Sequence, residues 1–343
     1  MPRTTVVAGQ VATATLGNNF YQLTYDLPRN QLINGGMEIW QRGTSGLPSA
    51  TGAAVGYMAD RWQTYRTGYA TGCTGSQQTG PTGSRYALRV QRDSGNTSTV
   101  AIQTYQTLET AQTLNMAGDQ ITFSAWVRKG ADFTGSITMR ILYGTGTDQR
   151  VTTPFTGNTT LVSQTKTLTT GWVQYSVTGT LPSTATELAV GFQYVPTAAT
   201  AGANDYFEFS LAQLEIGAVP TPFQSNGGSV AAELAACQRY YQRLGQVNGN
   251  ALAIGAGSGT TTTNFVVPLT AALRTAPGSV AYSNVQMVDG TGATTAITAL
   301  ALWNSSANSV GVTATHALAD TAHRPYFLSC STSGGYIEVI AEL

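Results

Sequence analysis

QITFSAWVRKGADFTGSITMRILYG, residues 120–144, decides the fold. In its first half Ile121, Phe123, Ala125 and Val127 occupy every second position, with Thr122, Ser124, Trp126 and Arg128 between them. In its second half Ile137, Met139, Ile141 and Tyr143 alternate with Thr138, Arg140 and Leu142. A period of two places successive side chains on opposite faces of an extended chain, so each half reads as a strand with one apolar face. The same alternation continues outward. WVQYSVTGTL (172–181) sets Val173, Tyr175 and Val177 together, and ELAVGFQYV (187–195) does so with Leu188, Val190, Phe192 and Tyr194. DYFEFSLAQLEIG (205–217) places Phe207, Phe209 and Leu211 against Tyr206, Glu208 and Ser210. YMADRWQTYR, RYALRVQRD and TVAIQTYQTL behave alike on the N-terminal side. About eight to ten short strands, each apolar on one face and broken by Gly, Pro, Asn and Ser clusters, predict an all-β jelly-roll sandwich over residues 31–217. A parallel βαβ fold would need helical crossovers, and this region has none.

Two further segments flank the sandwich on its C-terminal side. Residues 218–249 form a linker and the one convincing helix, SNGGSVAAELAACQRYYQRLG, with Ser229 as N-cap and Gly245 as stop. Within it Val230, Leu234, Cys237, Tyr241 and Leu244 are spaced as a heptad seam, which either packs on the sandwich or bundles with copies of itself. Residues 250–343, with NFVVPLTAALRTAPGSVAY, ITALALWNS, NSVGVTA and GGYIEVIAEL, predict one small β domain. Residues 1–30, polar and ending in Leu27-Pro28, read as an anchoring arm that gains more from a partner than from its own domain.

Composition excludes several classes. Charged residues are 10% of the 343, well below the roughly 25% of an ordinary soluble domain. Seventeen basic residues balance 17 acidic ones, so no basic stripe is available to displace phosphate counterions and no nucleic-acid partner is expected. A hydrophobic content of 42% excludes a disordered chain. A net charge of zero favours association, as suits an assembly subunit. Cys73, Cys237 and Cys330 are odd in number and far apart, so they read as reduced small hydrophobes. The start MPRTTVVAGQ has no apolar leader, and the apolar runs fall far short of the ~20 residues that span a bilayer. Synthesis without export and no membrane insertion are expected.

Catalytic chemistry is hard to build from these residues. His316 and His323 lie seven apart in a Thr/Ala-rich segment, and HExxH, GxSxG and P-loop patterns are absent. Asp205 with Glu208, or Glu38 with Asp60, are the nearest carboxylate pairs for glycoside hydrolysis. No catalytic residue, metal or cofactor is expected. The aromatic side chains speak more clearly, because sugars stack their apolar ring faces on Trp or Tyr. Opposite the Phe/Ile/Val face lie Trp126, Arg140, Gln193, Tyr206 and Glu208, which on one shared sheet would form an exposed sugar platform.

LINGGMEIWQRGTSG (32–46) followed by YMADRWQTYR (57–66) resembles the opening of the sandwich domain in many tailed-bacteriophage fibre and virion proteins. SAWVRKG and GWVQYSV sit where that domain has its next tryptophans, so Trp40, Trp62 and Trp172 read as core or sheet-rim residues. LAQLEIGAVPTPFQ running into ELAACQRYYQR resembles its closing strand and helix, and NFVVPLTAALRTAPGSV the entry to a small terminal β domain. That sandwich is similar to carbohydrate-binding modules of the jelly-roll kind. Such modules often hold a structural calcium ion near the first strand, which here is the loop around Asn34 and Glu38, with a single local carboxylate. The resemblance implies a non-enzymatic virion protein, a short fibre or decoration on capsid or tail. It would be a homo-oligomer, most simply a trimer, joined to other virion proteins through its arm and adhering to bacterial surface glycans. A dedicated receptor-binding tail fibre is the alternative, and a glycan hydrolase a more distant one.

Overall fold

A computed structural model describes residues 30–48, 56–66, 72–317 and 324–343. The anchoring arm proposed for residues 1–30 therefore lies outside the described residues except for Asn30, and so does His323. The sandwich consists of two antiparallel six-stranded sheets. In the first the strands run in the order β1 (Leu47–Pro48), β4 (Cys73–Thr79), β5 (Tyr86–Arg92), β12 (Tyr206–Ile216), β7 (Gln120–Lys129) and β10 (Val173–Thr180). In the second they run β2 (Gly56–Tyr57), β3 (Gln63–Arg66), β6 (Ile102–Leu108), β11 (Glu187–Val195), β8 (Ser136–Gly144) and β9 (Thr159–Lys166). A one-turn helix, α1 (Thr110–Leu114), bridges β6 and β7. The chain crosses between sheets repeatedly, as β6 to β7 to β8 and again as β9 to β10 to β11 to β12, which makes the jelly roll that the alternation predicts.

The alternating apolar sets meet between the sheets. Phe123 of β7 and Phe207 and Phe209 of β12 face Met139 and Ile141 of β8 and Phe192 of β11, all shielded from water. Phe192 and Phe209 have ring centroids 4.8 Å apart, and Trp62 meets Phe209 edge-on at 4.9 Å. Such aromatic pairs add about 0.5–1.5 kcal/mol each beyond their buried area.

In β12 the alternation slips. The register shifts between Ser210 and Gln213, and Leu211 takes φ 51°. Past this bulge Ala212 and Leu214 face the core, so Leu211 does not continue the Phe207/Phe209 face. A bulge frees backbone groups that must find partners elsewhere. Asn30 supplies them: its Nδ2 donates to the Ala212 carbonyl and its Oδ1 accepts from the Leu214 amide. The amide of Ala212 donates to the Gly35 carbonyl, an approach so close that a Cβ on Gly35 would lie 2.1 Å from the Ala212 oxygen.

The helix is shorter than the heptad spacing predicts. α2 (Val230–Gln238) starts as expected, with Ser229 Oγ accepting from the Ala232 amide, but it ends at Arg239. Tyr241 to Gly245 form β13, which pairs with β21 (Tyr336–Ile340), itself paired with β16 (Ser279–Ser283). Tyr241 and Leu244 consequently leave the helix, and the seam of Val230, Leu234, Cys237, Tyr241 and Leu244 does not exist as one face. Val230 is 59% exposed, Cys237 packs with Ile33, Ile39 and Tyr240, and Leu244 lies against the C-terminal core. Aromatic residues favour strands, and the side chain of Gln242, accepting from Thr270 and donating to the Gln238 and Ala271 carbonyls, fixes the turn. Beyond it β14 (Ala251–Gly257), β15 (Thr262–Pro268), β19 (Ser309–His316), β18 (Thr294–Ser305), β17 (Val285–Val288) and β20 (Pro325–Cys330) close a six-stranded barrel.

Charged groups fasten this second β body to the sandwich. Arg61 Nη1 lies 2.5 Å and Arg42 Nη2 3.0 Å from the two oxygens of Glu342. The Arg42 guanidinium also stacks 3.5 Å over Tyr241, and that of Arg61 3.5 Å over Tyr240. Asp60, one of the carboxylates considered for hydrolysis, accepts from the Gln41 amide and lies 3.8 Å from Arg42 Nη1. Glu342→Gln would leave two buried guanidiniums without their shared counter-charge, a change that costs about 3–5 kcal/mol for buried pairs. Urea denaturation followed by tryptophan fluorescence should show that loss.

Candidate functional site

The outer face of the first sheet carries half-buried aromatic side chains, Trp126 and Tyr206 among them. Parity on β7 turns Trp126 and Arg128 outward, because Ile121, Phe123, Ala125 and Val127 are buried. On β12 the same logic turns Tyr206 and Glu208 outward, and on β5 it turns Arg89 and Gln91. Register then places Glu208 directly between Arg89 and Arg128, its cross-strand neighbours. Arg89 approaches Glu208 Oε1 through Nε at 2.7 Å and Nη2 at 2.5 Å, while Arg128 Nε reaches Oε2 at 2.5 Å. Each guanidinium also covers an aromatic ring: Arg89 lies 3.7 Å over Tyr206, and Arg128 4.7 Å over Trp172. The result is one continuous row, Tyr206–Arg89–Glu208–Arg128–Trp172.

Trp126 sits one step along β7 from this row, opposite Gln174 of β10 and Ser210 of β12. It is half-buried, and among the described residues no cation or ring covers it and its indole N–H has no protein acceptor. Glu208 differs sharply. It is fully buried with both oxygens engaged, so it orders the arginines and does not itself face solvent. What remains open for a ligand is the Trp126 indole, the exposed amide of Gln174 and the terminal nitrogens of Arg128.

The expectation that Arg140 and Gln193 share this face is corrected by the topology. Both project from the outer face of the second sheet, on β8 and β11, across the sandwich from Trp126. Arg140 Nη1 donates to the Tyr105 hydroxyl at 3.1 Å, and its Nη2 donates to Thr160 Oγ1 at 3.1 Å. Tyr65 and Tyr105 lie there too, but both are buried, in a cluster with Leu142, Val151 and Phe155, and offer no ring face for stacking. Alternation assigns a side chain to the inside or outside of its strand and says nothing of which sheet the strand joins. Arg89 and Arg128 were within reach of the alternation in RYALRVQRD and SAWVRKG, as Glu208 was; the register that brings both arginines onto Glu208 was not. Trp172 lies at this rim, in keeping with its sheet-rim reading.

A second concavity, a cleft of about 240 Å³, opens between the first loop and the start of α2, lined among others by Glu38, Ser84, Leu211, Phe223 and Glu233. Burial pushes the Glu38 carboxyl above its usual range, partly offset by nearby Arg85. In the loop of Asn34 and Glu38, where a calcium ion was expected, the Asn34 side chain is engaged within the fold. Asn34 Oδ1 accepts from the Ile39 amide, and its Nδ2 donates to the carbonyls of Ile39 and Asp60. Glu233 accepts from the amides of Asn34 and Gly227. Among the described residues no three His, Cys, Asp or Glu side chains converge. Asp205, the other half of a carboxylate pair, is buried against Arg92 and the Tyr194 hydroxyl, and burial together with that carboxylate raises the Tyr194 pKa. His316 is buried in the barrel beside Thr263 Oγ1.

No protein-family model matches the chain, and no curated protein matches it in sequence. Solved structures similar to it include a CBM4 structure, at 20% identity and TM-score 0.33, over 46% of this chain and 88% of that one. A xylan-binding CBM22 domain is similar at 15% identity and TM-score 0.31, over 52% of this chain and 99% of that one. The enzymatically active domain of bacteriophage CBA120 tailspike protein 4 is similar at 10% identity and TM-score 0.35, over 55% of this chain and 22% of that one. At these TM-scores the likenesses carry nothing about ligand or activity, and what the site can do follows from its own geometry.

The Arg–Glu–Arg row yields its own test. Glu208→Gln keeps the shape but removes the charge that holds two adjacent guanidiniums, so it should destabilise the sandwich by about 2 kcal/mol. Arg89 and Arg128 are partly open to water, which keeps the cost below that of a fully buried pair. Thermal and urea unfolding of the variant would check it.

Proposed function

We propose that the protein is a non-enzymatic, glycan-binding structural component of a tailed-phage particle, a short fibre or decoration on capsid or tail. The observation that carries the glycan part is the outward, half-buried Trp126 indole beside Arg128. An aromatic face bounded by hydrogen-bond donors is what a pyranose ring needs, with apolar C–H groups on one side and hydroxyls at the edge. Two guanidiniums against one carboxylate leave one positive charge in excess on the row, so acceptor-rich and acidic glycans suit it better than amino sugars.

The non-enzymatic part is supported by the state of the carboxylates. Hydrolysis needs one acid poised to donate a proton and one free to attack or to activate water. Glu208 and Asp205 are instead both buried in ion pairs with arginine. The virion part rests on the sequence resemblance of residues 31–343 and on an architecture of two β bodies joined by buried ion pairs, suited to a rigid projection.

Trp126→Ala should weaken glycan binding by on the order of 1–3 kcal/mol, several-fold or more, if stacking on sugars is comparable with stacking on bases. The melting temperature should scarcely move, because the indole is not part of the core. A glycan array followed by calorimetry on the best ligand measures the first, and calorimetric unfolding the second. No glycan binding by the unmodified chain, or a large loss of stability in the variant, would remove the proposal.

A further inference from the structure

β18 turns one tryptophan away from the barrel core. Against β19 its register steps from Leu302–Val312 to Asn304–Gly311, so Trp303 is the extra residue of a β-bulge. Bulges re-aim side chains and gather beside functional sites. Leu302 packs on the barrel core, while Trp303 next to it is 50% exposed. The indole rests against Gly311. A Cβ there would lie 2.9 Å from both Nε1 and Cε2 of the ring and 2.4 Å from the Asn304 carbonyl oxygen, so only glycine leaves the ring its place.

Polar groups stand at the edge of this ring. Val266 of β15 pairs with Gly311 and extends the apolar floor. Two positions along the same strands, about 7 Å away, Asn264 and Thr313 are cross-strand partners. Thr313 Oγ1 donates to Asn264 Oδ1 at 2.7 Å, which occupies the amide oxygen. Among the described residues no protein group accepts from Asn264 Nδ2 or from the Trp303 indole N–H. The Asn304 amide, beside the indole, is exposed.

We propose that Trp303 and its polar edge form a second glycan-binding site, on the barrel, for a neutral hexose or N-acetylhexosamine unit. A pyranose is the partner that uses both parts of the platform, its C–H face on the indole and its hydroxyls on the Asn264 and Asn304 amides. A lipid chain or an apolar protein surface would cover the same indole but bury those amides without partners, which costs free energy. The six barrel strands contain no Asp, Glu, Lys or Arg, so a charged sugar substituent finds no counter-charge among them. The row on the first sheet, with its excess guanidinium, favours acidic sugars instead. The two β bodies therefore differ in the sugars they take. The barrel site shares with the reading of Trp126 only the premise that the protein meets glycans, and it depends on a different tryptophan.

Saturation-transfer NMR on the full chain tests the inference, with maltohexaose, mannohexaose and chitohexaose as neutral probes and trigalacturonate as the acidic comparison. At least one neutral oligomer should receive saturation. Trp303→Ala should weaken its binding about ten-fold or more, if stacking on sugars is comparable with stacking on bases. The melting temperature should stay where it is, because the ring is open to water. Trp303→Leu keeps an apolar side chain without a ring and should fail as Ala does, whereas Trp303→Tyr restores a flat ring and should keep most of the affinity. Trp126→Ala should leave neutral-sugar binding unchanged. No saturation of any neutral oligomer overturns the inference, as does binding that survives Trp303→Ala or Trp303→Leu. Neutral-sugar binding lost in Trp126→Ala would put that sugar on the sandwich and overturn it as well. Neutral oligomers bound while trigalacturonate is not would uphold the barrel site and count against the reading of Trp126.

Discussion

The arrangement of the two β bodies depends on Glu342 between Arg42 and Arg61. Taking three charges out of water is costly, and the cost is offset only where the geometry is close and the remaining faces are covered. Here the guanidiniums are covered by Tyr57, Tyr240 and Tyr241, and further charge pairs extend the seam. Arg239 lies 3.0 Å from Glu109 of the sandwich, and Arg274 of the barrel region 3.0 Å from Asp148. Removing Glu342 takes the shared counter-charge from both arginines, which makes the relative placement of sandwich and barrel specific.

The same principle explains a chain with 10% charged residues. Few charges are available, and many of them are inside or at seams. Asp60, Arg61, Arg92, Asp205 and Glu208 are all buried among the described residues. In the sandwich they stitch strands together, as Glu208 does between β5 and β7. The barrel strands have none, and their outer face is left to hydroxyls and apolar groups. Low charge content therefore reflects where the charges sit, and the uncharged barrel is its counterpart.

Much of this was legible from alternation. The strands read from ITFSAWV, SITMRILYG, ELAVGFQYV and DYFEFSLAQLEIG all form, with Phe123, Phe192, Phe207 and Phe209 in the core. β4 and β9 escaped notice because CTGSQQT and TTLVSQTK hold too few apolar residues to show a period. Leu211 misled because one bulged residue reverses every later face, and nothing local in FSLAQ announces it. The helix misled for a different reason. VAAELAACQRYYQRL has helical spacing throughout, and only pairing of Tyr241–Gly245 with a strand almost a hundred residues later ends it early.

The candidate site was half legible, and the missing half is instructive. Parity placed Trp126, Tyr206 and Glu208 outward, as found, but parity is blind to sheet membership, so Arg140 and Gln193 went to the wrong side of the sandwich. It is also blind to what an outward position will meet. Glu208 is outward and yet fully buried, because two arginines from neighbouring strands close over it and two aromatic rings lie against those arginines. An outward carboxylate in this sandwich is therefore a means of fixing cations in place. The binding chemistry passes to the groups it fixes, Arg128 above all, and to the indole beside them.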